Sequence, residues 1–209
     1  SNGCVSEDFN GDGKKDLVFI TGSGLISVVK NTSSPGNISF DPRTDYITGN
    51  GSQPSGIHIT DVDADGKPDI IVSNYGGQTL SYFKNNSTST TISFAERTDY
   101  HIDGYGNDAG ALDLDGDGKP EIFGTVNGPD EISVFKNTSV PGTASFAAKI
   151  DLPTGSWPST VSAGDLDGDS KADLVVSNTN SGGISIFKNN SSVGSLTFLP
   201  KTDIATGGS

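Results

Sequence analysis

One repeat of about 52 residues fills the whole 209-residue chain. An acidic loop recurs at intervals of 53, 52 and 52 residues, and its four copies begin at Asp8, Asp61, Asp113 and Asp165. A Lys-Asn pair follows each loop in the same phase, and the pairs begin at Lys30, Lys84, Lys136 and Lys188. A phenylalanine lies ten residues after each of these lysines. A period of this length is typical of proteins that stack one supersecondary unit on its own copies, which limits the chain to a repeat architecture.

Each copy of the repeat is expected to form four strands. Short β-branched runs follow the acidic loops, as at residues 17–20 and 70–72, and they fit buried strands better than helices. Strict alternation of apolar residues with serine comes next, as at 26–28 and 80–82, and predicts a half-exposed strand. A third strand is expected near the phenylalanine, and a fourth before the next acidic loop, as at 57–59. Four strands per repeat of this length indicate the blade of a β-propeller.

We therefore predict an all-β fold, a β-propeller of four four-stranded blades. Residues 1–209 are expected to form a single domain, with blades at approximately 1–53, 54–105, 106–157 and 158–209. The chain holds four whole periods, and its two ends share one phase of the repeat. Three arrangements stay open: a closed ring of four blades, half of a ring completed by a second copy, or a fragment of a larger propeller. Open blade faces would favour association.

The net charge of −13, from 26 acidic and 13 basic residues, excludes two classes of partner. Nucleic acids and anionic membranes are both bound by basic surfaces, and no apolar run approaches the length of a membrane span. We therefore expect no nucleic-acid partner and no membrane insertion. The single cysteine, Cys4, excludes a disulfide framework and a cysteine-based zinc site. Fifteen of the acidic residues lie in the four loops, so the charge is concentrated there.

Oxygen-bearing side chains occupy positions 1, 3, 5 and 9 of every acidic loop. They are Asp8, Asn10, Asp12 and Asp16; Asp61, Asp63, Asp65 and Asp69; Asp113, Asp115, Asp117 and Glu121; and Asp165, Asp167, Asp169 and Asp173. Alternate oxygens on a tightly curled loop can converge on Ca²⁺, which takes six to eight oxygen ligands. The backbone carbonyl at position 7 is the expected further ligand, supplied by Lys14, Lys67, Lys119 and Lys171. The sequence thus predicts about four Ca²⁺ ions, one per repeat.

Position 6 of the loop must turn sharply, and glycine supplies that turn in three copies. Ser170 replaces glycine in the fourth copy, so slight strain is expected there. The loop is not an EF-hand, which needs a bidentate glutamate at position 12 and a helix on each side. Mg²⁺ is a poorer candidate because it resists all-protein cages. The alternative that the Asp-Gly clusters are only turns is disfavoured by four copies in register. The ion is expected to clamp a hairpin rather than to catalyse a reaction, and its binding to couple to folding.

The loop pattern D-x-[DN]-x-D-G-x-x-[DE], the apolar strand after it and the phase of K-N-[TN]-S resemble the FG-GAP/VCBS repeats of integrin-α-type propellers. The resemblance covers all four copies. It implies a propeller that holds calcium in the loop joining the first two strands of each blade. It also implies an extracellular or cell-surface module for adhesion and recognition. Rings in this family usually have seven or eight blades, and four copies depart from that number.

Two aromatic residues, Tyr105 and Trp157, share one phase of the repeat in the loops before the acidic motifs. Exposed aromatic rings in propeller loops can stack on sugars, which makes these two residues candidates for ligand binding. The alternative, that they pack between blades, is the preferred interpretation of the pair. Asn31, Asn85, Asn137 and Asn189 form sequons in phase with the repeat, and a role in turns is favoured over glycosylation.

No arrangement of residues in the sequence supports catalysis. A Ser-His-Asp pattern, a phosphate-binding glycine loop and a reactive cysteine context are all missing from the sequence. We therefore expect a calcium-stabilised, secreted, non-catalytic module for binding, adhesion or self-assembly. Its expected partners are a protein or glycan on the cell surface or in the extracellular matrix, or a second copy that extends the ring. A carbohydrate-binding lectin is the alternative, and a fragment of a polysaccharide lyase or hydrolase is less favoured.

Overall fold

The computed structural model describes residues 3–22, 24–49 and 51–207, and it contains four four-stranded antiparallel sheets. The first sheet comprises β1 (Cys4–Glu7), β2 (Asp16–Gly22), β3 (Leu25–Val29) and β4 (Thr44–Ile47). The second comprises β5 (Pro54–Thr60), β6 (Asp69–Asn74), β7 (Thr79–Phe83) and β8 (Thr98–His101). The third comprises β9 (Tyr105–Leu112), β10 (Glu121–Asn127), β11 (Glu131–Phe135) and β12 (Ile150–Pro153). The fourth comprises β13 (Pro158–Gly164), β14 (Asp173–Asn178), β15 (Gly183–Phe187) and β16 (Thr202–Ala205).

Within each sheet, the strands lie side by side in chain order. This up-and-down order is that of a propeller blade, and it confirms the all-β propeller prediction. The acidic loops join the first strand of each blade to the second, so all four lie at corresponding ends of the sheets. Among the described residues, no helix is long and apolar enough to cross a membrane.

The strand expected near each phenylalanine was placed too early in the chain. Phe40, Phe94, Phe146 and Phe198 form only isolated bridges to the asparagines of the Lys-Asn pairs. These bridges close the base of a polar loop, and the last strand of each blade starts four residues later, as at Thr44. The phenylalanine therefore anchors the loop rather than a strand.

In the first three blades the alternating strand is buried on both faces, and the prediction of a half-exposed strand was wrong there. Its serines, Ser27, Ser81, Ser133 and Ser185, are all 0% exposed. Each serine Oγ donates to a carboxylate of the neighbouring last strand at 2.5–2.7 Å, and the acceptors are Asp45, Asp99, Asp151 and Asp203. A buried hydroxyl is tolerated when it has such a partner, which accounts for the repeated serine and for the repeated aspartate.

Three apolar clusters hold neighbouring blades together. They join the first sheet to the second, the second to the third and the third to the fourth. The residue at position 2 of the acidic loop enters each cluster, and Phe9, Val62 and Leu114 are at most 2% exposed. Burying side chains of this size contributes about 1.5–3 kcal/mol each. Over residues 3–22, 24–49 and 51–207, no buried apolar cluster and no hydrogen bond joins the first sheet to the fourth. The blades therefore form an open arc rather than a closed ring of four.

Two strand glycines test the packing around Phe123, which belongs to the apolar cluster that joins the third sheet to the fourth. A Cβ atom at Gly110, in β9, would lie 2.3 Å from Cε2 of the core residue Phe123. A Cβ atom at Gly164, in β13, would meet nothing within 4 Å. We expect Gly110→Ala to lower the free energy of unfolding by about 1–3 kcal/mol through overpacking. Gly164→Ala is the matched control and should change it by less than about 0.5 kcal/mol. Urea denaturation measures both values, and equal effects would contradict the packing described.

Candidate metal centres

Three of the acidic loops bring carboxylates from positions 1, 3 and 9 together. In each cluster, one oxygen from every member lies within 4.8 Å of the others, and the clusters are Asp61, Asp63 and Asp69; Asp113, Asp115 and Glu121; and Asp165, Asp167 and Asp173. The first loop differs because position 3 is Asn10. The Asn10 amide donates to Asp12 Oδ2 at 3.1 Å, and its oxygen accepts from the Asp12 amide. The first loop therefore carries one carboxylate fewer than the other three.

The carboxylate at position 1 shapes the loop from inside. In the third loop, Asp113 Oδ1 accepts from the backbone N–H of Gly116 at 2.7 Å, and Oδ2 accepts from that of Gly118 at 2.8 Å. The second of these bonds, from position 6 to position 1, recurs in all four loops at 2.8–2.9 Å. Position 6 has a φ of 84° in the three glycine copies and of 69° at Ser170. The left-handed conformation is thus imposed on a serine, which is a source of strain in the fourth loop.

The carboxylate at position 9 is buried in every loop. Asp16, Asp69, Glu121 and Asp173 are at most 2% exposed. In each blade it accepts one backbone N–H from position 2 of its loop and one from the asparagine of the Lys-Asn pair, at 2.7–3.2 Å. The sequence pattern predicts position 9 only as a ligand of the metal ion. The structure shows that this carboxylate also binds the loop to the end of the third strand.

In the second and third loops, burial leaves the negative charge at position 9 poorly compensated. Desolvation, and then the nearby Asp115 and Asp113, raise the pKa of Glu121 to about 7. Burial and the nearby Asp63 raise the pKa of Asp69 to about 6, although hydrogen bonds from the Asn85 and Val62 amides oppose that shift. A cation at these loops would stabilise the ionised carboxylates and reverse the shift.

Lysines of the Lys-Asn pairs approach the carboxylates at positions 3 and 5 of the loops. Lys84 Nζ contacts the position 3 carboxylate of Asp63 and lies 2.8 Å from Asp65 Oδ2 at position 5. Lys136 Nζ lies 2.6 Å from Asp115 Oδ2, and Lys188 Nζ contacts Asp167. Each ammonium group offsets part of the negative charge, but these contacts are with the carboxylates at positions 3 and 5 rather than with those at positions 1 and 9.

Among the residues that the structure describes, one carboxylate oxygen of the second loop has no hydrogen-bond partner. The side chain of Asp63 is fully buried, and its Oδ1 receives no hydrogen bond while Oδ2 contacts Lys84. A buried, unpaired carboxylate oxygen is costly. Hard oxygen donors of this kind are what Ca²⁺ prefers, so the residues present fit this ion. Lys67 and Lys171, at position 7, use their side chains to reach the carbonyls of Ser87 and Ser191. Ligation by the carbonyls at position 7 stays a prediction.

The asparagines of the Lys-Asn pairs connect neighbouring blades. Asn85, Asn137 and Asn189 each donate from Nδ2 to the position 2 carbonyl of the preceding blade, at 2.7–2.9 Å. Each also donates to position 8 of its own acidic loop and accepts the amide of a serine two residues later, as Asn85 does with Pro68 and Ser87. These asparagines are at most 1% exposed, which agrees with a structural role in the turn. The repetition of the pair indicated a turn, but sequence alone gave no signal for the contact between blades.

The two candidate aromatic residues lie at the ends of the sheets opposite the acidic loops. Tyr105 stacks on Tyr75, a residue that the sequence pattern missed, with ring centroids 4.9 Å apart and 22° between the planes. Trp157 is 44% exposed and has a φ of 60°. Its backbone N–H donates to Asp130 Oδ1 at 3.0 Å, and its carbonyl accepts from Thr179 at 2.9 Å. The structure does not place both rings in one stacked cluster.

Comparisons with known proteins agree with this architecture. The FG-GAP-like repeat matches residues 8–72, 61–124 and 113–176, and the FG-GAP repeat matches residues 157–196. Cartilage acidic protein 1 of Xenopus tropicalis is 34% identical over 98 residues, which cover 39% of this chain and 15% of that protein. The chain thus spans a small part of this relative.

Two solved structures are also similar to this chain. The exotype rhamnogalacturonan lyase YesX superposes with a TM-score of 0.54 at 14% identity, covering 99% of this chain and 47% of that one. The Photorhabdus luminescens Tc holotoxin pore gives a TM-score of 0.32 at 14% identity, covering 98% of this chain and 12% of that one. At these identities, the lyase shows a shared fold only. The matched repeats extend over most of the sequence and coincide with the four sheets and their acidic loops, and the chain belongs to the FG-GAP repeat family.

Proposed function

We propose that this chain is a calcium-stabilised, non-catalytic scaffold that works outside the cell and binds a protein or glycan. The observation that carries the proposal is the set of three carboxylate clusters in one register, with the orphaned Asp63 Oδ1 inside one of them. Calcium would be held by positions 1, 3, 5 and 9 of the loops, with the carbonyl at position 7. Bound there, the ion would supply positive charge to a crowded group of carboxylates and lock the first hairpin of each blade.

Three further features support a role as a scaffold. The carboxylates of the loops are engaged by backbone amides, which suits a structural site better than a site that exchanges protons. The loops lie at one end of the blades, so calcium would stiffen the sheets and leave the opposite end free to bind a partner. The relative of this chain is named for cartilage, which agrees with a place outside the cell.

Calcium should stabilise the protein. An ion that binds only the folded state adds about 2.7 kcal/mol per site when its concentration is 100 times the Kd. For a chain of this length, each occupied site should raise the melting temperature by about 5–10 °C. The affinity is expected at about 10⁻⁴–10⁻³ M, the range of extracellular modules. Calorimetric melting in calcium and in EDTA measures the shift, and identical melting temperatures would contradict the proposal.

The number of bound ions tests which residues act as ligands. Isothermal titration with calcium should give about four ions per chain. Asp115→Ala removes the position 3 carboxylate of the third loop and should lower that number by one. Asp41→Ala changes an exposed acid outside the loops and is the matched control, which should leave the number unchanged. Loss of an ion in the control, or none in Asp115→Ala, would count against the assignment.

Protonation of the loop carboxylates should weaken the stabilisation by calcium. The pKa of Glu121 is raised to about 7 in the folded state, above its value in the unfolded chain. The metal-free folded protein therefore binds more protons, and its stability falls as the pH rises from about 4.5 to about 7. Calcium binds the ionised carboxylates, so the increase in melting temperature that it causes should be larger at pH 8 than at pH 5.5. Glu121→Gln should reduce this pH dependence, and a calcium effect that is equal at both pH values would contradict it.

A lectin is the second candidate, and the conformation of Trp157 favours it. A bulky residue with positive φ is strained by about 1–3 kcal/mol, and such strain often marks ligand sites. The contacts with Asp130 and Thr179 hold the backbone in this conformation while the indole remains 44% exposed. An exposed indole held in place is suited to stacking on a sugar ring.

A glycan array in calcium buffer tests the second candidate. If the chain binds a glycan, Trp157→Ala should weaken that binding by about tenfold, which corresponds to about 1.4 kcal/mol. Ile47→Ala changes another exposed apolar side chain, 61% accessible on the last strand of the first blade, and should leave binding intact. No glycan bound, or equal binding by both variants, would remove the case for a lectin.

A further inference from the structure

The three contacts between blades use one apolar arrangement. The position 2 side chain of one blade packs with residues that lie eight and ten positions after the lysine of the next Lys-Asn pair. Phe9 packs in this way with Ile92 and Phe94, and the Phe9 and Phe94 rings meet edge-on at 5.2 Å. Leu114 shares its cluster with Leu196 and Phe198. The second interface repeats the arrangement with Val62, Ala144 and Phe146.

Two polar contacts accompany that packing at every internal interface. The asparagine of the following blade donates to the position 2 carbonyl, as Asn189 does to Leu114 at 2.7 Å. The lysine of the preceding blade donates to a carbonyl six residues after the next lysine, as Lys84 does to Gly142 at 3.1 Å. Lys30 to Thr90 and Lys136 to Gly194 repeat the second contact. Neighbouring blades are thus joined by a defined set of one apolar and two polar contacts.

The fourth blade presents one half of this set at its outer face. Leu166, at position 2 of the last acidic loop, is 56% exposed, whereas its three counterparts are at most 2% exposed. Lys188 pairs with Asp167 and Asp169 of its own loop. Within the described part of the chain, Lys188 has no carbonyl acceptor of the kind that the other three lysines reach.

The first blade presents the other half of the set. Ile38 is 84% exposed and Phe40 is 39% exposed, although their counterparts in the other blades pack in the clusters. Asn31 donates to the Lys15 carbonyl of its own loop at 2.8 Å. Over residues 3–22, 24–49 and 51–207, Asn31 makes no counterpart of the contact that the other three asparagines form with a preceding blade. The two outer faces are therefore complementary to each other.

We propose that two copies of this chain dock head to tail through these faces and close one ring of eight blades. Leu166 of one copy would pack against Ile38 and Phe40 of the other. Asn31 Nδ2 would donate to the Leu166 carbonyl, and Lys188 Nζ would donate to the carbonyl of Gly36, which lies six residues after Lys30. A two-fold pair satisfies both faces of both copies and leaves no open blade face.

The mass in solution tests the proposal. Sedimentation across a concentration series in calcium buffer should show a transition from one chain of 21.5 kDa to two chains, with no larger species. A single-chain mass throughout the series would overturn the proposal. A mass that rises beyond two chains would overturn the closed ring, because an open head-to-tail contact would then form filaments.

Substitutions on each face identify the contact. Leu166→Asp and Ile38→Asp should each raise the dimer dissociation constant at least tenfold. Both side chains are exposed in the single chain, so the variants should keep a cooperative melting transition. Val140→Asp is the matched control, since Val140 is 60% exposed in a turn of the third blade, and it should dimerise like the original protein. Unchanged dimerisation by Leu166→Asp would overturn the interface.

A mixture of the two variants separates a head-to-tail contact from a face-to-face one. In a head-to-tail pair, each variant alone carries a defect in both interfaces. In the mixture, the unchanged first blade of Leu166→Asp meets the unchanged fourth blade of Ile38→Asp, so one native interface forms. The mixture should therefore recover a two-chain species at concentrations where either variant alone is monomeric. No recovery in the mixture would contradict the head-to-tail arrangement.

Discussion

The buried carboxylate at position 9 of each acidic loop connects the loop, the blade and the neighbouring blade. It accepts one backbone amide from the start of its own loop and one from the end of the third strand. The same two segments provide the contacts between blades: position 2 fills the apolar cluster, and the asparagine of the Lys-Asn pair donates to the preceding blade. One charged group therefore sets the shape of a loop, the closure of a blade and the position of its neighbour. A charge in such a place needs compensation, which links the fold to the proposed binding of a cation.

Much of the fold could be predicted because it follows from local patterns. The period of the repeat gave the number of blades, and the alternation of residues gave strands rather than helices. The contacts between blades could not be predicted. Asn137 and the carbonyl that it binds, that of Val62, are 75 residues apart in the chain, and an asparagine before a serine reads as a turn or a sequon. The buried serines were misjudged because their aspartate partners, such as Asp99 for Ser81, come from a later strand. The candidate site followed from spacing alone. The second role of Glu121, which holds its loop to Asn137 at the end of the third strand, could not be predicted because Asn137 comes 16 residues later in the chain.

The charge of the chain has a distribution that matters for its chemistry. The acidic residues concentrate in loops at one end of the blades, whereas Tyr75, Tyr105 and Trp157 lie at the other end. Lysines of the Lys-Asn pairs already neutralise part of each cluster, and Lys84 also reaches the next blade through the carbonyl of Gly142. Calcium and the lysine can therefore neutralise the same cluster together if the ion binds oxygens of positions 1, 3 and 9 that the lysine leaves free. The two cations compete if the ion binds the oxygens that the lysine contacts. The raised pKa of Glu121 indicates that lysine alone leaves the negative charge undercompensated.

A crystal structure of the protein grown with calcium, with anomalous scattering recorded to locate the ions, shows directly whether the acidic loops bind calcium. We expect one anomalous peak in each acidic loop, coordinated by side-chain oxygens of positions 1, 3, 5 and 9, and a bond from Asp63 Oδ1 to the ion in the second loop. Loops without anomalous peaks, with Lys84, Lys136 and Lys188 as the only cations beside the carboxylates, would contradict it.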